Sequence, residues 1–417
     1  MTQIDSFICI NSDCRAANDK NKSQYIDFKE SNPTCPQCNS ILGQRSSSGD
    51  VYFFKGFIDR GGGGSVYEAC KRIGKRFEGK YAIKVLHPRP GSSLKECKDE
   101  LELEFKNLKK ACKAGTRVPQ YIDCSSPEIE PGRGVYFLVQ EFLEGENLAS
   151  ILKNKRRIIT EDNLYFTEPT MFQYLIDLLE TLHLLHNNHI LHRDIKLSNI
   201  IQKKQENIKN LYLVDFGSSK KLEPGISNKY TKHYARTPFY APPETLREDD
   251  FGSNNDIFDK YKWLIQDFDL DELLESHRWT RDIYSLGVTI FELLTKTPEE
   301  IYSILRWRPS DRIWNKWMSD LRQNFPNLYP ILERMTRFYP DERYQTALEA
   351  LLDASSQAWY IYGDSWLIEG ELLKNALNSV KRKKNNLPVL QERFLEKSEK
   401  QQDRKDFENI FDQSILG

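Results

Sequence analysis

The hydrophobic pattern of the chain changes from short apolar stretches near residue 50 to longer helical repeats farther on. Residues 51–58, 66–69 and 81–86 are rich in β-branched and aromatic side chains, which predicts three strands. Residues 94–112 repeat their apolar positions with helical spacing, and residues 171–186 (MFQYLIDLLETLHLLH) predict a strongly apolar helix. A strand-rich region is therefore expected to precede a helical one.

Both ends of the chain differ from the region between them. Residues 1–44 form a small cysteine-bearing unit, and the polar sequence QRSSSGD that follows predicts a linker, which we place at residues 45–51. Residues 356–417 include a basic run and a highly charged stretch, which predicts a charged C-terminal tail that is helical in part. We find no internal repeat.

Composition excludes several classes of function. The chain has 417 residues, enough for two or three domains, and its net charge is -1, from 60 basic and 61 acidic residues. This balance gives no electrostatic argument for nucleic acid or an anionic membrane as a main partner. The sequence has neither a signal peptide nor a run of about eighteen apolar residues, so we expect a cytoplasmic protein with reduced thiols.

Four of the eight cysteines form two short pairs near the N-terminus. Four residues separate Cys9 from Cys14, two separate Cys35 from Cys38, and twenty lie between the pairs. Such spacing suits a closed tetrahedral thiolate site for structural zinc, and the segment resembles a zinc ribbon. The alternative is four unrelated thiols. The other cysteines lack this spacing and are expected to be ordinary, partly buried thiols: Cys70, Cys97, Cys112 and Cys124.

Two motifs in the middle of the chain supply the groups needed for phosphoryl transfer. The sequence LHRDIKLSN places a carboxylate, an ammonium group and an amide within six residues, at Asp194, Lys196 and Asn199. Asp215 follows sixteen positions after Asn199 and precedes Phe216 and a glycine. A base near an acceptor hydroxyl, a cation and oxygen ligands for magnesium are the groups that transfer from a nucleotide requires.

Because these motifs occur in this order, residues 52–355 resemble the eukaryotic-type (Hanks-type) serine/threonine protein kinases. The combination with an N-terminal four-cysteine unit looks bacterial. The resemblance implies an α+β, two-lobed protein kinase fold preceded by a small zinc-ribbon-like unit. Its β-rich N-lobe would span about residues 52–143 and its α-helical C-lobe about residues 144–355. ATP, magnesium (or manganese) and protein substrates are implied as well.

The resemblance places a glycine-rich loop at Gly61 and Gly64, with Asp59 where kinases have the first glycine. Lys84 would contact the phosphates and needs a partner carboxylate. Helix register favours Glu104 over Glu100 and Glu102. The full set of residues implied for ATP is Ile58, Gly61, Gly64, Val66, Ala82, Lys84, Glu104, Glu141, Leu143 and Ile201.

The catalytic roles also follow from the resemblance. Asp194 would accept or orient the proton of the acceptor hydroxyl, and Lys196 would hold the γ-phosphate. Asn199 and Asp215 would bind magnesium. Arg193 would pair with a phosphorylated activation segment.

The resemblance also implies structural or regulatory roles for five further residues. Thr231 is the first candidate for phosphorylation in the activation segment, and Thr237 favours serine and threonine over tyrosine as acceptors. Glu244 would form a buried ion pair with Arg343, and Asp282 would anchor the catalytic loop.

An acidic insertion lies at about residues 247–279, longer than kinases usually have there. It is either a surface excursion or a docking element. The insertion, the cysteine unit and the tail are the candidate surfaces for a regulatory protein.

Three functions agree with these features. The first is an active serine/threonine protein kinase that autophosphorylates in its activation segment. The alternative is a catalytically weak pseudokinase scaffold, for which Asp59 in the glycine loop is the main argument. A small-molecule phosphotransferase is a third, opposed by the segment from Thr237 to Glu244.

Overall fold

A computed structural model describes residues 6, 7, 9, 24, 25, 35, 38, 42–61, 64–74, 76–86, 94–125, 136–158, 166–204, 210–221, 240–245, 277–294, 319 and 321–362. The chain forms two compact units. The first comprises Met1–Ile158 and Glu180–Ala241, and the second comprises Ile159–Leu179 and Pro242–Gly417. Within the described part of the chain, no helix has both the length and the apolar character needed to span a bilayer.

All strands in the described part of the chain lie in the first unit. They are β1 (Ser6–Phe7), β2 (Gln24–Tyr25), β3 (Gly43–Arg45), β4 (Val51–Gly61), β5 (Gly64–Ile73), β6 (Arg76–Leu86), β7 (Tyr121–Cys124), β8 (Phe137–Glu141), β9 (Gly145–Asn147), β10 (Ile190–Leu191), β11 (Ile200–Lys203), β12 (Asn210–Leu213) and β13 (Lys220–Lys221). Six of them form an antiparallel sheet in the order β3-β4-β5-β6-β8-β7. The three strands predicted from the sequence lie at the centre of this sheet as β4, β5 and β6.

The described residues of the first unit also form smaller sheets, two helices and the end of a third. β9, β11 and β12 form a three-stranded sheet, and β10 pairs with β13. The predicted helix at residues 94–112 is α1 (Leu94–Lys113), which packs on β7 and on the short 3-10 turn Phe216–Ser218. A second helix, α2 (Leu148–Ile158), follows β9.

Alternation along β4 directs neighbouring side chains into two different cores, because successive residues of a strand face opposite sides of the sheet. Tyr52 and Phe54 belong to the sheet core, which we define by its buried members Tyr52, Phe54, Ala69, Ile83, Val85, Phe137 and Val139. Phe53 belongs instead to the thiol core, whose buried members are Phe7, Cys9, Cys35, Leu42, Phe53 and Cys70. The N-terminal cysteines thus share a core with strands of the main sheet.

The linker predicted at residues 45–51 is corrected by the structure. β3 pairs with β4, and residues 46–50 form the turn between them, with hydrogen bonds from Ser46 N to Asp50 O (2.8 Å) and from Gly49 N to Ser46 O (3.0 Å). Gly49 has a φ of 90°, a conformation that favours glycine. The polar sequence forms a hairpin turn. Serine, glycine and aspartate are common in turns, where they satisfy the hydrogen bonds of the backbone, as well as in linkers, so their composition does not distinguish the two.

This turn also joins the two edges of the main sheet. Ser46 forms an isolated bridge with Ser125, next to β7, and Ser47 N donates to Cys124 O at 2.8 Å. The hydroxyls of Ser47 and Ser48 both donate to the buried carboxylate of Asp123, the first at 2.9 Å. The sheet therefore curls so that its first and last strands meet.

The second unit is helical. The predicted apolar helix at residues 171–186 is longer at both ends, as α3 (Glu168–Asn187), and the boundary between the two units falls within it. In the second unit, α4 (Thr280–Leu294) packs against α5 (Tyr329–Met335), which also contacts α6 (Ala347–Tyr362). Gly287 permits a close approach of α4 and α5, because a Cβ there would lie 2.6 Å from the Thr336 methyl group.

The predicted end of the kinase-like region differs from the helix that the structure shows there. The kinase-like region was expected to end at residue 355, but α6 continues to Tyr362, and the buried Ala354 and Ala358 lie one turn apart on one face. The two compact units are divided differently from the predicted lobes, since residues 144–158 and 180–241 lie in the first unit, and the lobe boundary at residue 143 stays a prediction. Contacts such as Leu213 N to Arg117 O (2.9 Å) connect these residues to the rest of the first unit.

Candidate active site

Lys84 lies at the centre of a buried network of charged groups. On β6, Ile83 and Val85 point into the sheet core, and alternation turns Lys84 to the other face. Its Nζ donates to both carboxylate oxygens of Glu104, at 2.8 and 2.9 Å, and to Oδ1 of Asp215 at 2.6 Å. One ammonium group thus connects a strand, a helix and the segment around Asp215.

Glu104 reaches Lys84 because of its position on α1. It lies on the buried face of the helix with Leu101, Leu108 and Ala111, at the three- and four-residue spacing of an amphipathic helix. Glu102, one of the two competing carboxylates, is partly exposed and forms an ion pair with Lys106. The side chain of the other, Glu100, lies outside the described residues.

Asp215 is fixed by an unusual backbone conformation. Its φ is 67°, in the left-handed region, and its side chain accepts a hydrogen bond from Gly217 N. Glycine at 217 leaves room for this contact, since a Cβ there would lie 2.5 Å from Lys84 Nζ and 3.1 Å from Asp215 Oδ1, and the ammonium group would have to shift. The sharp bend brings the carboxylate against the lysine.

Lys84 and Asp215 are both charged at neutral pH. Burial alone would lower the pKa of Lys84, but the carboxylates of Asp215 and Glu104 hold that pKa well above its ordinary value. Burial alone would raise the pKa of Asp215, but the ammonium of Lys84 lowers it to about 2. A fixed cation beside an ionised carboxylate suits the binding of a phosphate and a divalent metal.

The loop at residues 191–199 brings three further polar groups together. Asp194 Oδ2 accepts hydrogen bonds from Lys196 Nζ at 2.7 Å and from Asn199 Nδ2 at 2.9 Å. Asn199 Nδ2 also donates to the Asp194 carbonyl at 2.8 Å. The buried side chains of Ile195 and Leu197 anchor the loop, and Lys196 between them lines a cavity together with Asn199.

His192 and Arg193 connect this loop to the segment after Asp215. His192 is fully buried, its Nε2 lies 3.2 Å from the Val214 carbonyl, and its ring packs against Phe216. Arg193 has a φ of 67° and donates from Nε to the Ser218 carbonyl at 2.7 Å. These contacts fix the relative positions of the two motifs.

A cavity of about 700 Å³ in the first unit opens onto these groups. Nine of the ten residues expected to bind ATP line it: Ile58, Gly64, Val66, Ala82, Lys84, Glu104, Glu141, Leu143 and Ile201. The tenth, Gly61, pairs with Gly64 across the β4-β5 hairpin. Gly64 also needs to be glycine, because a Cβ there would lie 2.2 Å from the Val85 carbonyl oxygen.

The cavity has lining residues that the sequence analysis did not assign. Arg60 and Lys153 add cations, on β4 and on α2, and the motif residues Lys196, Asn199 and Asp215 complete the polar wall. The only sequence signal for Arg60 was its position at the edge of the glycine run. Lys153 has no local signal, since only the packing of α2 brings it to the cavity.

Three of the predicted zinc ligands lie together. The sulfur atoms of Cys9, Cys35 and Cys38 are all within 4.8 Å of one another, and Cys9 Sγ lies 3.6 Å from Cys38 Sγ. Thiolates about 2.3 Å from a tetrahedral zinc ion are separated by about 3.8 Å, so the cluster fits this metal. Cys14 lies outside the described residues. Among the described residues, Cys70, Cys112 and Cys124 take part in no disulfide bond.

The predicted pair of Glu244 and Arg343 lies in the second unit. Arg343 donates to the two carboxylate oxygens of Glu244 at 2.8 and 2.9 Å, and both side chains are buried. Asp282 is fully buried near the start of α4. Other predicted features lie outside the described residues: Thr231, Thr237, residues 247–276 of the insertion and the tail beyond Tyr362.

Comparison with known proteins identifies the domain. The family model of the protein kinase domain matches residues 52–259. The chain is 24% identical to Serine/threonine-protein kinase B of Synechocystis sp. over 362 residues, which are 84% of this chain and 52% of that protein. It is 30% identical to Serine/threonine-protein kinase Nek3 of Oryza sativa subsp. japonica over 201 residues, 48% of this chain and 30% of that protein.

A second bacterial relative is Serine/threonine-protein kinase PknA of Nostoc sp., 26% identical over 221 residues, 52% of this chain and 32% of that protein. The chain thus spans about half or less of the length of these curated relatives. The serine/threonine kinase predicted from the sequence is confirmed at the level of the domain: residues 52–259 are a protein kinase domain, and the relatives that share it are serine/threonine kinases.

Proposed function

We propose that this chain transfers the γ-phosphate of ATP to serine and threonine hydroxyls of proteins. The observation that carries the proposal is the buried contact of Lys84 with both Glu104 and Asp215, beside the hydrogen-bonded group of Asp194, Lys196 and Asn199. Together they offer a phosphate-binding cation and metal-binding oxygens in one cavity, with a base hydrogen-bonded to two of its lining residues, Lys196 and Asn199.

Each residue has a role in this proposal. Asp194 accepts the proton of the acceptor hydroxyl, and Lys196, held 2.7 Å from it, stabilises charge on the transferred phosphoryl group. Asn199 points its amide nitrogen at Asp194, which leaves the amide oxygen for a metal, and Asp215 supplies carboxylate oxygens. Magnesium or manganese, when bound, neutralises phosphate charge.

Phosphotransfer from labelled ATP, with the products mapped by mass spectrometry, tests the proposal. Asp194→Asn should lower the rate by about 10²–10⁴-fold, because it removes the general base. Glu78→Gln, an exposed carboxylate at the start of β6, is the matched control and should keep the wild-type rate. Equal rates for wild type and Asp194→Asn would refute the assignment, and label only on tyrosine would refute the acceptor class.

The pseudokinase alternative predicts a different result in the same experiment. A scaffold would bind ATP without transferring phosphate in wild type and Asp194→Asn alike. Asp59, its main argument, is exposed and accepts a hydrogen bond from Arg60 N at 2.8 Å. Phosphorylation at Thr231 in wild type alone would support autoactivation through the activation segment.

Structural zinc at Cys9, Cys14, Cys35 and Cys38 is part of the proposal. The clustered sulfurs of three of these residues support it. Metal analysis of the purified protein should find about one zinc ion per chain, and Cys35→Ser should lose it. Cys124→Ser, which changes a thiol next to the sheet turn and outside the cluster, should retain the metal. Wild-type protein without zinc would refute this part.

The proposal also includes a cytoplasmic location and protein substrates. It further includes a regulatory partner that binds the N-terminal unit, the insertion or the tail. They rest on the sequence and on the kinase domain.

A further inference from the structure

The buried face of α1 carries three polar residues that each contact a different part of the first unit. Glu104 binds Lys84 on β6, as described above. Asn107, one turn later, donates from Nδ2 to the Ser219 hydroxyl at 2.9 Å. Lys110, after a further turn, donates from Nζ to the Asn188 carbonyl at 2.6 Å. The spacing of three residues keeps all three on one side of the helix.

The contact between Asn107 and Ser219 is fully enclosed. The two side chains are 1% and 3% exposed. The Ser219 hydroxyl accepts from Asn107 and donates to the Phe216 carbonyl at 2.5 Å, while Ser219 N donates to the same carbonyl at 2.9 Å. The bond therefore joins α1 to the short turn that directly follows Asp215.

This bond connects the two segments that supply carboxylates to Lys84. Glu104 and Asp215 carry like charges within 3 Å of one ammonium group, so they repel each other while both attract it. A neutral bond between their segments opposes this repulsion without adding charge. Burying an amide is also unfavourable unless it is hydrogen-bonded, so the partners hold each other in place.

We propose that Asn107 and Ser219 are a positioning pair, which keeps Glu104 and Asp215 together on Lys84 and so holds the site in its phosphate-binding arrangement. The inference rests on the proposed kinase function and adds to it two residues that are not among those lining the cavity.

Steady-state kinetics with ATP give the first test. Ser219→Ala and Asn107→Ala should each lower kcat about tenfold while the KM for ATP changes less than about threefold. The apolar residues around the adenine, among them Ala82 and Leu143, do not depend on the pair. Ser219→Thr keeps the hydroxyl and should recover most of the activity. The control is Lys106→Ala, which changes the exposed neighbour of Asn107 on the same helix and should keep the wild-type kcat.

Hydrogen exchange of the nucleotide-free protein gives a second test that needs no phosphotransfer. If the pair positions α1, the two alanine variants should exchange faster in α1 and in residues 216–221, while β6 and β8 keep their wild-type protection. Equal acceleration throughout the first unit would show a general structural role and overturn the inference. Unchanged exchange would overturn it as well, and so would unfolding of both variants.

The two tests separate the inference from the proposed function. Wild-type protein without phosphotransfer, combined with faster exchange confined to α1 and residues 216–221, would refute the kinase proposal and leave the positioning pair intact. Normal kcat in both alanine variants, with an active wild type, would refute the pair and leave the kinase proposal intact.

Discussion

Removing the carboxylate of Glu244 should destabilise the second unit strongly. Arg343 is 1% exposed and binds Glu244 through two parallel hydrogen bonds. Its guanidinium also donates to the carbonyls of Arg337 and Phe338 at 2.7 Å and lies 4.7 Å from the centre of the Tyr284 ring. The carbonyls and the ring carry no net charge, so Glu244→Ala leaves a buried cation without a counter-charge.

The size of the effect follows from this burial. Breaking a buried ion pair by removing one partner costs about 3–5 kcal/mol, because the remaining charge stays out of water. With a urea dependence of about 2–3 kcal/mol per M, a loss of about 4 kcal/mol lowers the unfolding midpoint by about 1.3–2 M. A loss of this size is a large fraction of the stability of an ordinary domain, about 5–15 kcal/mol.

Tryptophan fluorescence isolates the relevant unit in this measurement. All seven tryptophans have residue numbers within the range of the second unit, and the structure describes two of them, Trp279 and Trp359. Urea titrations followed by tryptophan emission therefore report unfolding of the unit that contains Glu244, whatever the first unit does.

A surface ion pair in the same unit provides the control. Glu333 and Arg337 lie one turn apart, 3.3 Å from each other, with side chains 35% and 38% exposed. Glu333→Ala should cost only about 0.2–1 kcal/mol, because water screens the pair. If Glu244→Ala shifts the midpoint no more than Glu333→Ala does, the claim that burial makes the Glu244–Arg343 pair important is refuted.

Three other predictions follow. Burial alone would raise the pKa of Asp123, but its serine hydrogen bonds hold that pKa below its ordinary value. The stability that the ionised carboxylate contributes is therefore present above about pH 4 and is lost as the pH falls through the lowered pKa. Thermal unfolding followed by circular dichroism should show that Asp123→Asn is less stable than wild type at pH 7. This difference in stability should become smaller below about pH 4, and a difference that does not change with pH would contradict the prediction. Phe7→Ala should reduce the stability of the thiol core by about 3–5 kcal/mol, because the Phe7 ring packs 5.1 Å from the ring of Phe53. Proteolysis should then cleave the N-terminal unit faster than in wild type, and an unchanged cleavage rate would argue against shared packing. Lys84→Met should lower kcat by about 10²–10³-fold, since the two carboxylates lose their common cation; a rate near wild type would remove Lys84 from the proposed mechanism.

The sequence alone determined the elements and groups whose signals are local. The strands β4 to β6 and the helices α1 and α3 follow from apolar periodicity, which depends only on neighbouring residues. The grouping of Asp194, Lys196 and Asn199 in one loop follows from their closeness in the chain. The resemblance to protein kinases came from such short motifs in order, and the family model agrees with it over residues 52–259.

Only the tertiary structure decided which distant residues meet. Nothing local distinguishes Asn107 from an exposed asparagine, and its bond to Ser219 spans 112 positions. The serines at 46–48 read as a linker because their acceptor, Asp123, lies about 75 residues away on the opposite edge of a curled sheet. The alternation that puts Phe53 into the thiol core is visible in the sequence, but the partner of that face is not. Periodicity specifies which side of an element is buried, whereas folding specifies what it is buried against.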